Sequence, residues 1–372
     1  MKKIKLIIFH PYSHVGGADN SLKRLIEQLD TRLFSITFIS LNESFLKKNL
    51  KKKVEFIKIK SNRTLFSINK FRKIVKKIYL SKNFKKIIVF SNQNFANIIS
   101  SFSLINLKSV KKIFIDRNHL DELNHGHTIG EKLKKIIIKK LIKTTYQNAD
   151  LVIGISKKLS SDLSNYCNIK VKTIYSPAYD KSIIKKAKKK IKLKKKYKYI
   201  INVSRFTKRK DHYTTLMGFK LASEKIKNLK LILIGYGPEY NNILKLSKKL
   251  NISKKIIVFK KLNNPYPYIK KSDLLILSSK YEGMGNVLVE ATTLGIPIIS
   301  SNCNSGPSEI LLNGKGGDLF KVSDYNELSK KIVKHFKNVK LLKKKIKFAQ
   351  KQLFRFDKKN HAKIYSKIFE KI

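Results

Sequence analysis

Residues 274–291 read LLILSSKYEGMGNVLVEA, an apolar run followed by a polar loop and a second apolar segment. The four apolar residues Leu274 to Leu277 predict a short buried strand. Gly283 and Gly285 allow the loop to turn and its backbone to approach a ligand, and the residues after them predict a helix. The stretch therefore predicts one strand–loop–helix unit of a parallel sheet, with the loop at the carboxyl end of the strand.

The same alternation of short apolar runs and helical patterns extends through the rest of the chain. Strands are predicted at residues 4–9, 35–41, 86–90, 112–115, 151–155, 199–203, 229–234, 256–259, 274–277 and 297–300. Strands that alternate with helices form parallel sheets covered by helices. The pattern therefore predicts an α/β chain of two successive Rossmann-like domains, with a cleft between them that the carboxyl ends of both sheets face.

The length and composition fit this two-domain division. A chain of 372 residues exceeds one ordinary core, and its hydrophobic content of 42% is enough for two. A lysine run between the halves predicts a linker, and Ile364, Ile368 and Ile372 recur at helical spacing. The predicted parts are a first domain, a linker, a second domain and a closing helix that packs back: residues 1–180, 181–198, 199–356 and 357–372.

The charge of the chain is extreme and comes mostly from lysine. The formal net charge is +59, and only eight of the 83 lysine and arginine residues are arginine. A protein that reads bases would use more arginine, because a guanidinium group binds guanine bidentately. Lysine instead suits phosphate and anionic lipid. We therefore expect a solvated basic surface first, adhesion to an anionic membrane second, and no specific nucleic acid.

Several features bear on the compartment. The apolar run Leu6 to Phe9 stops at His10 with no small-residue cleavage site, so it predicts a buried strand rather than a signal peptide. Apolar stretches stay well below the roughly 20 residues that span a bilayer. Cys167 and Cys303 lack metal-ligand spacing and predict buried thiols of a reducing compartment. These features predict a cytoplasmic protein, peripheral at the inner face of the cell membrane.

Two pairs of charged residues suggest chemistry. Glu282 and Glu290 stand eight residues apart, a spacing that lets two carboxylates accept hydrogen bonds from hydroxyls at opposite ends of one elongated ligand. The N–H groups that open the helix between them suit phosphate oxygens. A capped helix with a solvated glutamate explains this pattern equally well. Arg205 and Lys210 follow the strand 199–203, where their charges can neutralise a diphosphate leaving group without a metal.

A resemblance favours the ligand-binding interpretation. Residues 282–290 resemble the E-x7-E signature of family 4 glycosyltransferases, which are retaining enzymes of the GT-B fold, and LGIPIIS at 294–300 and SGPSEIL at 305–311 continue the family pattern. The resemblance implies that Glu282 contacts the donor sugar, that Glu290 contacts the donor ribose and that Arg205 and Lys210 hold the diphosphate. The remaining donor-binding residues expected in this half are Gly283, Met284, Gly285, Asn286 and Val287.

The first half carries weaker parts of the same resemblance. HVGGAD at 14–19 resembles the family's G-G-A-E loop, so Gly17 is expected near the donor phosphates, with Asp19 in place of the usual glutamate. The strand before Asp116 ends where many relatives carry an active-site histidine. This position makes His119 the expected catalytic histidine and Arg117 a second candidate.

The resemblance implies a metal-independent hexosyltransferase with its donor in the second domain and its acceptor on the first. The SGPSEIL loop is similar to that of bacterial enzymes that use UDP-N-acetylhexosamines, so UDP-GalNAc or UDP-GlcNAc is the expected donor. The expected acceptor is a polyprenyl-diphosphate-linked saccharide in surface polysaccharide or glycan biosynthesis. No cofactor is expected, and His125-Gly126-His127 is interpreted as a surface loop rather than a metal site. The alternatives are a non-catalytic nucleic-acid-binding protein and another GT-B enzyme, such as a sugar-nucleotide epimerase.

Two further stretches, residues 66–80 and 132–143, combine an apolar stripe with flanking lysines when laid on a helix. Such helices can lie on an anionic membrane. They can equally be core helices whose lysines face water, and for either stretch alone we slightly favour this second interpretation.

Overall fold

The computed structural model describes residues 2–13, 16–44, 46–50, 53–61, 64–124 and 128–372. The chain forms two compact units, one of Met1–Ala178 with Asp357–Ile372 and the other of Tyr179–Phe356. The second unit is continuous in sequence, whereas the first is completed by residues that follow the second.

The first unit is built on a parallel β-sheet. Its strands are β1 (Ile4–Phe9), β2 (Phe34–Ser40), β3 (Glu55–Lys58), β4 (Lys86–Asn92), β5 (Val110–Asp116), β6 (Leu151–Gly154) and β7 (Val171–Thr173). Among the described residues the sheet has seven strands in the order β3-β2-β1-β4-β5-β6-β7. The helices between them are α1 (Gly17–Ile26), α2 (Ile68–Leu80), α3 (Asn94–Ser103), α4 (Ile129–Thr145) and α5 (Lys157–Cys167).

The second unit repeats this plan. Its strands are β8 (Lys198–Val203), β9 (Leu229–Gly235), β10 (Ile256–Lys260), β11 (Leu274–Leu277), β12 (Ile298–Ser301) and β13 (Asp318–Phe320). They form a parallel sheet in the order β10-β9-β8-β11-β12-β13. The helices are α6 (Ser182–Ala187), α7 (His212–Lys225), α8 (Tyr240–Lys249), α9 (Tyr266–Lys271), α10 (Asn286–Leu294), α11 (Pro307–Ile310), α12 (Tyr325–Lys337) and α13 (Val339–Gln350).

The central strands are largely apolar and buried because helices cover both faces of each sheet. All six residues of β1 and all four residues of β11 are buried. In each sheet the strand order reverses once, between β1 and β4 and between β8 and β11. Ligands of parallel α/β sheets bind at such reversal points, outside the carboxyl ends of the strands.

The predicted α/β architecture of two parallel sheets is confirmed, and the three strands that the sequence pattern missed lie at sheet edges. Strands β3, β7 and β13 are three or four residues long and each has a neighbour on one side only. None of the four residues of β3 is fully buried. Short edge strands lack the continuous apolar run that identifies a buried central strand.

The predicted linker, residues 181–198, differs from the observed structure. These residues belong to the second unit, and they begin with helix α6. Ile183 on α6 is buried, while Lys185 and Lys186 are exposed. A lysine-rich composition is therefore compatible with a helix that packs through a single apolar face, and composition alone does not distinguish it from a linker.

The last helix, α14 (Lys358–Lys371), belongs to the first unit. Its N-cap residue Asp357 accepts hydrogen bonds from the backbone N–H groups of Lys359 and Asn360, at 2.9 and 3.0 Å. The Phe369 ring packs edge-on against the Phe34 and Phe90 rings, with centroid distances of 5.8 and 5.4 Å. These aromatic contacts attach α14 to strands β2 and β4.

A glycine at the end of β9 allows two loops of the second unit to pack backbone to backbone. A Cβ atom on Gly235 would lie well inside van der Waals contact with the Ser204 carbonyl oxygen, and one on Gly237 would collide with the Phe206 carbonyl oxygen. Gly237 also has a φ of +148°, which L side chains rarely adopt. Both glycines are therefore needed for the close packing of the segment that contains Arg205.

We expect Gly235→Ala to lower the free energy of unfolding by about 1–3 kcal/mol or more, because an added methyl group overpacks against backbone that cannot move freely. Gly130→Ala is the matched control, since a Cβ there meets no described atom within 4 Å. That control should be neutral or should stabilise α4 by up to about 1 kcal/mol. Urea denaturation measures both changes, and equal stability of the two variants would contradict this account of the Gly235 contact.

Candidate active site

The predicted site residues divide between the two units. In the second unit they lie after β8, after β11 and on α10: Arg205, Lys210, Glu282, Gly283, Met284, Gly285, Asn286, Val287 and Glu290. In the first unit they lie at the start of α1 and after β5: Gly17, Arg117 and His119. The second set follows both strands that flank the reversal in strand order, β8 and β11, whereas in the first unit only Gly17 follows such a strand, β1.

The loop between β11 and α10 presents the start of a helix. Gly285 has a φ of +81° and occupies the N-cap position, and among the described residues no side chain caps this helix. Gly306 packs so closely that a Cβ there would collide with the backbone of Met284. The backbone N–H groups in the first turn, from Asn286 and Val287, carry the positive end of the helix dipole. They can bind phosphate oxygens.

Glu282 is buried in this loop, and its position is set by three neighbours. Its carboxylate forms an ion pair with the Lys210 ammonium, and both side chains are almost fully buried. The Ser279 hydroxyl donates to Glu282 Oε1 at 2.6 Å, and the Ser305 hydroxyl donates to the Glu282 backbone carbonyl at 2.5 Å. The carboxylate is therefore held in place before any ligand binds.

The surroundings of this pair are strongly cationic. Burial alone would raise the pKa of Glu282, but attraction from Lys210 and Arg209 and hydrogen bonds from Lys210 and Ser279 keep that pKa below its usual value. Burial lowers the pKa of Lys210; Glu282 opposes this change, and repulsion from Arg209 and Arg205 adds to it. Three basic side chains next to one carboxylate favour a further anion.

The turn that carries Lys210 is fixed by polar contacts from β11 and α7. The Ser278 hydroxyl shares its hydrogen bond between the backbone carbonyl oxygens of Lys210 and Asp211, both at 2.9 Å. Asp211, with a φ of +47°, caps α7 by accepting from the Thr214 N–H at 3.3 Å and the Thr214 hydroxyl at 2.8 Å. The lysine and the glutamate are therefore positioned from the same strand end.

Glu290 is half-buried in the second turn of α10. The hydroxyl of Tyr266, the first residue of α9, donates to Glu290 Oε1 at 3.3 Å. Sequence reasoning missed Tyr266 because it lies 24 residues away on another helix, where spacing carries no signal. It also missed the contacts of Ser278, Ser279 and Ser305. Only Ser279 lies close to Glu282 in the chain, three residues before it, so only this contact could have been predicted from spacing.

The first unit also holds a helix start near buried polar groups. Gly17 is the first residue of α1, and Gly16 occupies the N-cap position with extended backbone. Asp19 points into the unit, where its Oδ1 accepts from the Ser13 hydroxyl at 2.6 Å and lies 3.6 Å from His10 Nε2. The Asp19 side chain therefore makes contacts within the first unit. The contact of Gly17 with phosphate stays a prediction.

The two candidates after β5 are both buried. The Arg117 Nε donates to the Asn92 side-chain oxygen at the end of β4, and burial lowers the pKa of Arg117. His119 Nε2 lies 2.7 Å from Asp162 Oδ2, and its Nδ1 lies 3.0 Å from Asp121 Oδ2. Two carboxylates therefore orient the imidazole ring. The catalytic role of His119 stays a prediction.

Metal-ligating clusters and long apolar helices are both absent from the described residues. In the described ranges no group of three or more His, Cys, Asp or Glu side chains is arranged to hold a metal ion, and His125-Gly126-His127 lies outside those ranges. Within the same ranges no helix has both the length and the apolar composition to cross a membrane.

Cys167 and Cys303 are buried as predicted, and burial raises the pKa of each thiol to about 12.

Asp116, at the end of β5, is a buried carboxyl group that titrates close to neutral pH. Burial raises its pKa to about 6, even though the Tyr146 hydroxyl donates to Oδ2 at 3.0 Å and the Asn118 N–H donates to Oδ1 at 3.3 Å. The ordinary pKa of aspartate in an unfolded chain is about 3.9. At a pH between these two pKa values, the Asp116 carboxyl is protonated in the folded protein and ionised in the unfolded chain.

The stability that Asp116 contributes should therefore be fully present below about pH 4 and should fall as the pH rises through about 6, by about 3 kcal/mol in total. Asp116→Asn removes this titration while it keeps the shape of the side chain. Urea denaturation of both proteins across this range should show the parent losing stability relative to the variant as the pH rises. A difference that is independent of pH would show that the carboxyl is not perturbed.

Comparison with known proteins adds to this geometry. Residues 183–352 match the family described as glycosyl transferases group 1. An uncharacterised glycosyltransferase of Methanocaldococcus jannaschii is 29% identical over 296 residues, which cover 75% of this chain and 72% of the relative. The N-acetylgalactosamine-N,N'-diacetylbacillosaminyl-diphospho-undecaprenol 4-alpha-N-acetylgalactosaminyltransferase of Campylobacter jejuni is 28% identical over 240 residues, 64% of this chain and 61% of that enzyme.

A solved structure shares the fold over the full length. The Anabaena protein HepE, crystallised with UDP and glucose, superposes with a TM-score of 0.77 at 16% identity and with 100% of both chains covered. Two parallel-sheet units of this kind make up the GT-B fold. The chain therefore has the GT-B fold of glycosyltransferases, and its residues 183–352 match the glycosyl transferases group 1 family.

Proposed function

We propose that this glycosyltransferase transfers a hexose or an N-acetylhexosamine from a UDP-sugar onto a lipid-linked saccharide, with retention of anomeric configuration, in the assembly of a surface polysaccharide or glycan. The observation that carries the proposal is the buried Lys210–Glu282 pair directly before the start of α10, with Glu290 on the same helix. UDP-GalNAc and UDP-GlcNAc are the proposed donors.

The order of groups along this segment corresponds to the order of groups in a nucleotide-sugar. Glu282 precedes α10, the N–H groups of its first turn follow, and Glu290 comes in the second turn. A donor presents its sugar hydroxyls, its diphosphate and its ribose hydroxyls in the same sequence. Carboxylates accept hydrogen bonds from hydroxyls, and the N–H groups at a helix start donate to phosphate oxygens. Each part of the donor therefore has a complementary group.

The cationic groups would act on the bond that breaks. In the free protein Lys210 neutralises Glu282. In the donor complex the diphosphate competes for Lys210 and Arg205, and the donor-sugar hydroxyls donate to Glu282. As the bond between the anomeric carbon and the UDP oxygen breaks, negative charge grows on the diphosphate, where Lys210 and Arg205 stabilise it. A phosphate oxygen accepts the proton of the acceptor hydroxyl, whose oxygen forms the new bond on the same face.

Two similar proteins support the proposed donor and acceptor. The structural neighbour from Anabaena was solved with UDP, and the Campylobacter relative is named for an N-acetylgalactosaminyl transfer to a diphospho-undecaprenol-linked sugar. We propose that the enzyme is metal-independent because Lys210 and Arg205 supply the positive charge that a cation would otherwise supply. We also propose that it is cytoplasmic and peripheral at the inner face of the membrane, where such an acceptor lies. The net charge of +59 suits that surface.

We expect Glu290→Gln to weaken UDP binding by about 1.5–3 kcal/mol, because one charge-assisted hydrogen bond to the ribose is lost. Calorimetry with UDP measures this, and thermal shift with UDP-, GDP- and ADP-sugars should rank UDP-sugars first. Glu224→Gln on the exposed surface of α7 is the matched control and should bind as the parent does. Equal UDP affinity in the Glu290 variant would remove the ribose assignment.

Steeply salt-dependent DNA binding without any nucleotide-sugar affinity would favour the nucleic-acid alternative.

We expect Arg205→Ala and Lys210→Ala to lower kcat about a hundredfold or more and to weaken donor binding less, because their charge matters most as the bond breaks. EDTA should leave the rate unchanged. Lys208→Ala, in the same turn but exposed, is the control and should keep full activity. Lys210→Ala leaves Glu282 buried without its ion-pair partner, so urea denaturation of this variant shows separately whether it is folded. Full activity of a folded Lys210 variant would refute the catalytic role.

A further inference from the structure

The structure separates the two lysine-rich helical stretches that look alike in sequence. In α2 the residues Phe71 and Val75 are buried, and Ile68, Ile74 and Ile78 pack against the core of the first unit. The apolar stripe of α2 is therefore its core face. In α4 the stretch 132–143 supplies residues both to the core face and to the exposed surface.

Helix α4 has apolar residues on two opposite sides. Ile138, Ile142 and Thr145 are buried. The residues that we call the outer stripe are large, aliphatic and exposed: Ile129 (86%), Leu133 (58%), Ile136 (52%) and Ile137 (50%). At 100° per residue the outer stripe falls within an arc of about 100° directly opposite the buried side. Contiguous exposed aliphatic residues of this size mark an interaction surface.

The charges around the outer stripe are positive. Lys132, Lys140 and Lys143 are exposed on α4 around it. Two other lysines of the helix attach it to the preceding segment: Lys135 donates to the Glu122 carbonyl oxygen and Lys139 to the Asn124 side-chain oxygen, at 3.0 and 3.1 Å. The outer stripe is thus an aliphatic strip within a lysine border, on a helix that is fixed to its unit.

We propose that the outer stripe of α4 is a docking surface for an anionic lipid bilayer. Aliphatic side chains enter the boundary between headgroups and acyl chains, while the lysine stems extend to the anionic headgroups. A second copy of this chain, itself at +59, would bring lysine borders together, and a nucleic acid would leave the isoleucines in water. The proposal rests on the proposed function only for its purpose, which is access to a lipid-linked acceptor.

A tryptophan reporter tests insertion directly, because the chain contains no tryptophan. With Ile137→Trp, vesicles of phosphatidylcholine and phosphatidylglycerol in equal parts should shift the emission to the blue, and brominated lipid should quench it. Inserted side chains should resist high salt, whereas purely electrostatic adhesion is screened. Phe348→Trp on the lysine-rich helix α13, where Phe348 is 43% exposed, is the matched control and should show neither change.

Sedimentation with the same vesicles tests the contribution of the outer stripe. Leu133→Ser with Ile137→Ser should lower vesicle partitioning about tenfold or more at high salt, because two aliphatic side chains no longer leave water. Leu341→Ser with Phe348→Ser on α13 should bind like the parent. Changing Lys132, Lys140 and Lys143 to Gln should weaken binding mainly at low salt.

Each contrary result has a distinct meaning. Absence of vesicle binding at low salt, with UDP binding intact, overturns the docking surface and leaves the transferase proposal standing. Binding that high salt removes completely, without a blue shift, also overturns it. A stripe variant that changes the oligomeric state but not vesicle binding would assign the stripe to a second copy and overturn the lipid proposal. Vesicle binding without UDP affinity would refute the proposed function alone.

Discussion

The second unit depends on one buried pair of opposite charges, Lys210 and Glu282. Removing two ions from water costs several kcal/mol for each, and only close pairing with additional hydrogen bonds offsets that cost. Ser279 supplies such a bond, while Ser278 and Ser305 anchor the backbones that carry the two charges. In the proposed donor complex the diphosphate would pair with Lys210 and the donor-sugar hydroxyls would donate to Glu282, so each buried charge would keep a partner.

The two sheets place their polar groups according to the same rule but use them differently. In both units polar side chains gather where the strand order reverses, at the carboxyl ends of the central strands. In the first unit Asn92 joins the side chains of His10 and Arg117 in a buried network that stiffens the strand ends. In the second unit the basic side chains exceed the acidic ones, and Arg205 remains exposed.

Much of this could be predicted from the sequence, and the omissions have physical causes. Long apolar runs identify central strands because both faces are covered, whereas β3 at an edge shows no such run. The carboxylates Glu282 and Glu290 share one continuous segment, so their relation is visible in the spacing. Tyr266 reaches Glu290 only through tertiary packing. Periodicity reveals an apolar stripe on a helix, but it does not reveal whether another element covers that stripe, which is why α2 and α4 look alike in sequence.

The return of α14 to the first unit has a consequence for biosynthesis. The ribosome makes β2 and β4 early, yet the Phe369 ring that covers Phe34 and Phe90 is made only after all of Tyr179–Phe356. The second unit, being continuous, can fold during translation, while the first waits with aromatic surface exposed. A nascent chain in this state is a natural client for chaperones that bind hydrophobic segments, and a premature stop codon before α14 would leave that surface permanently uncovered.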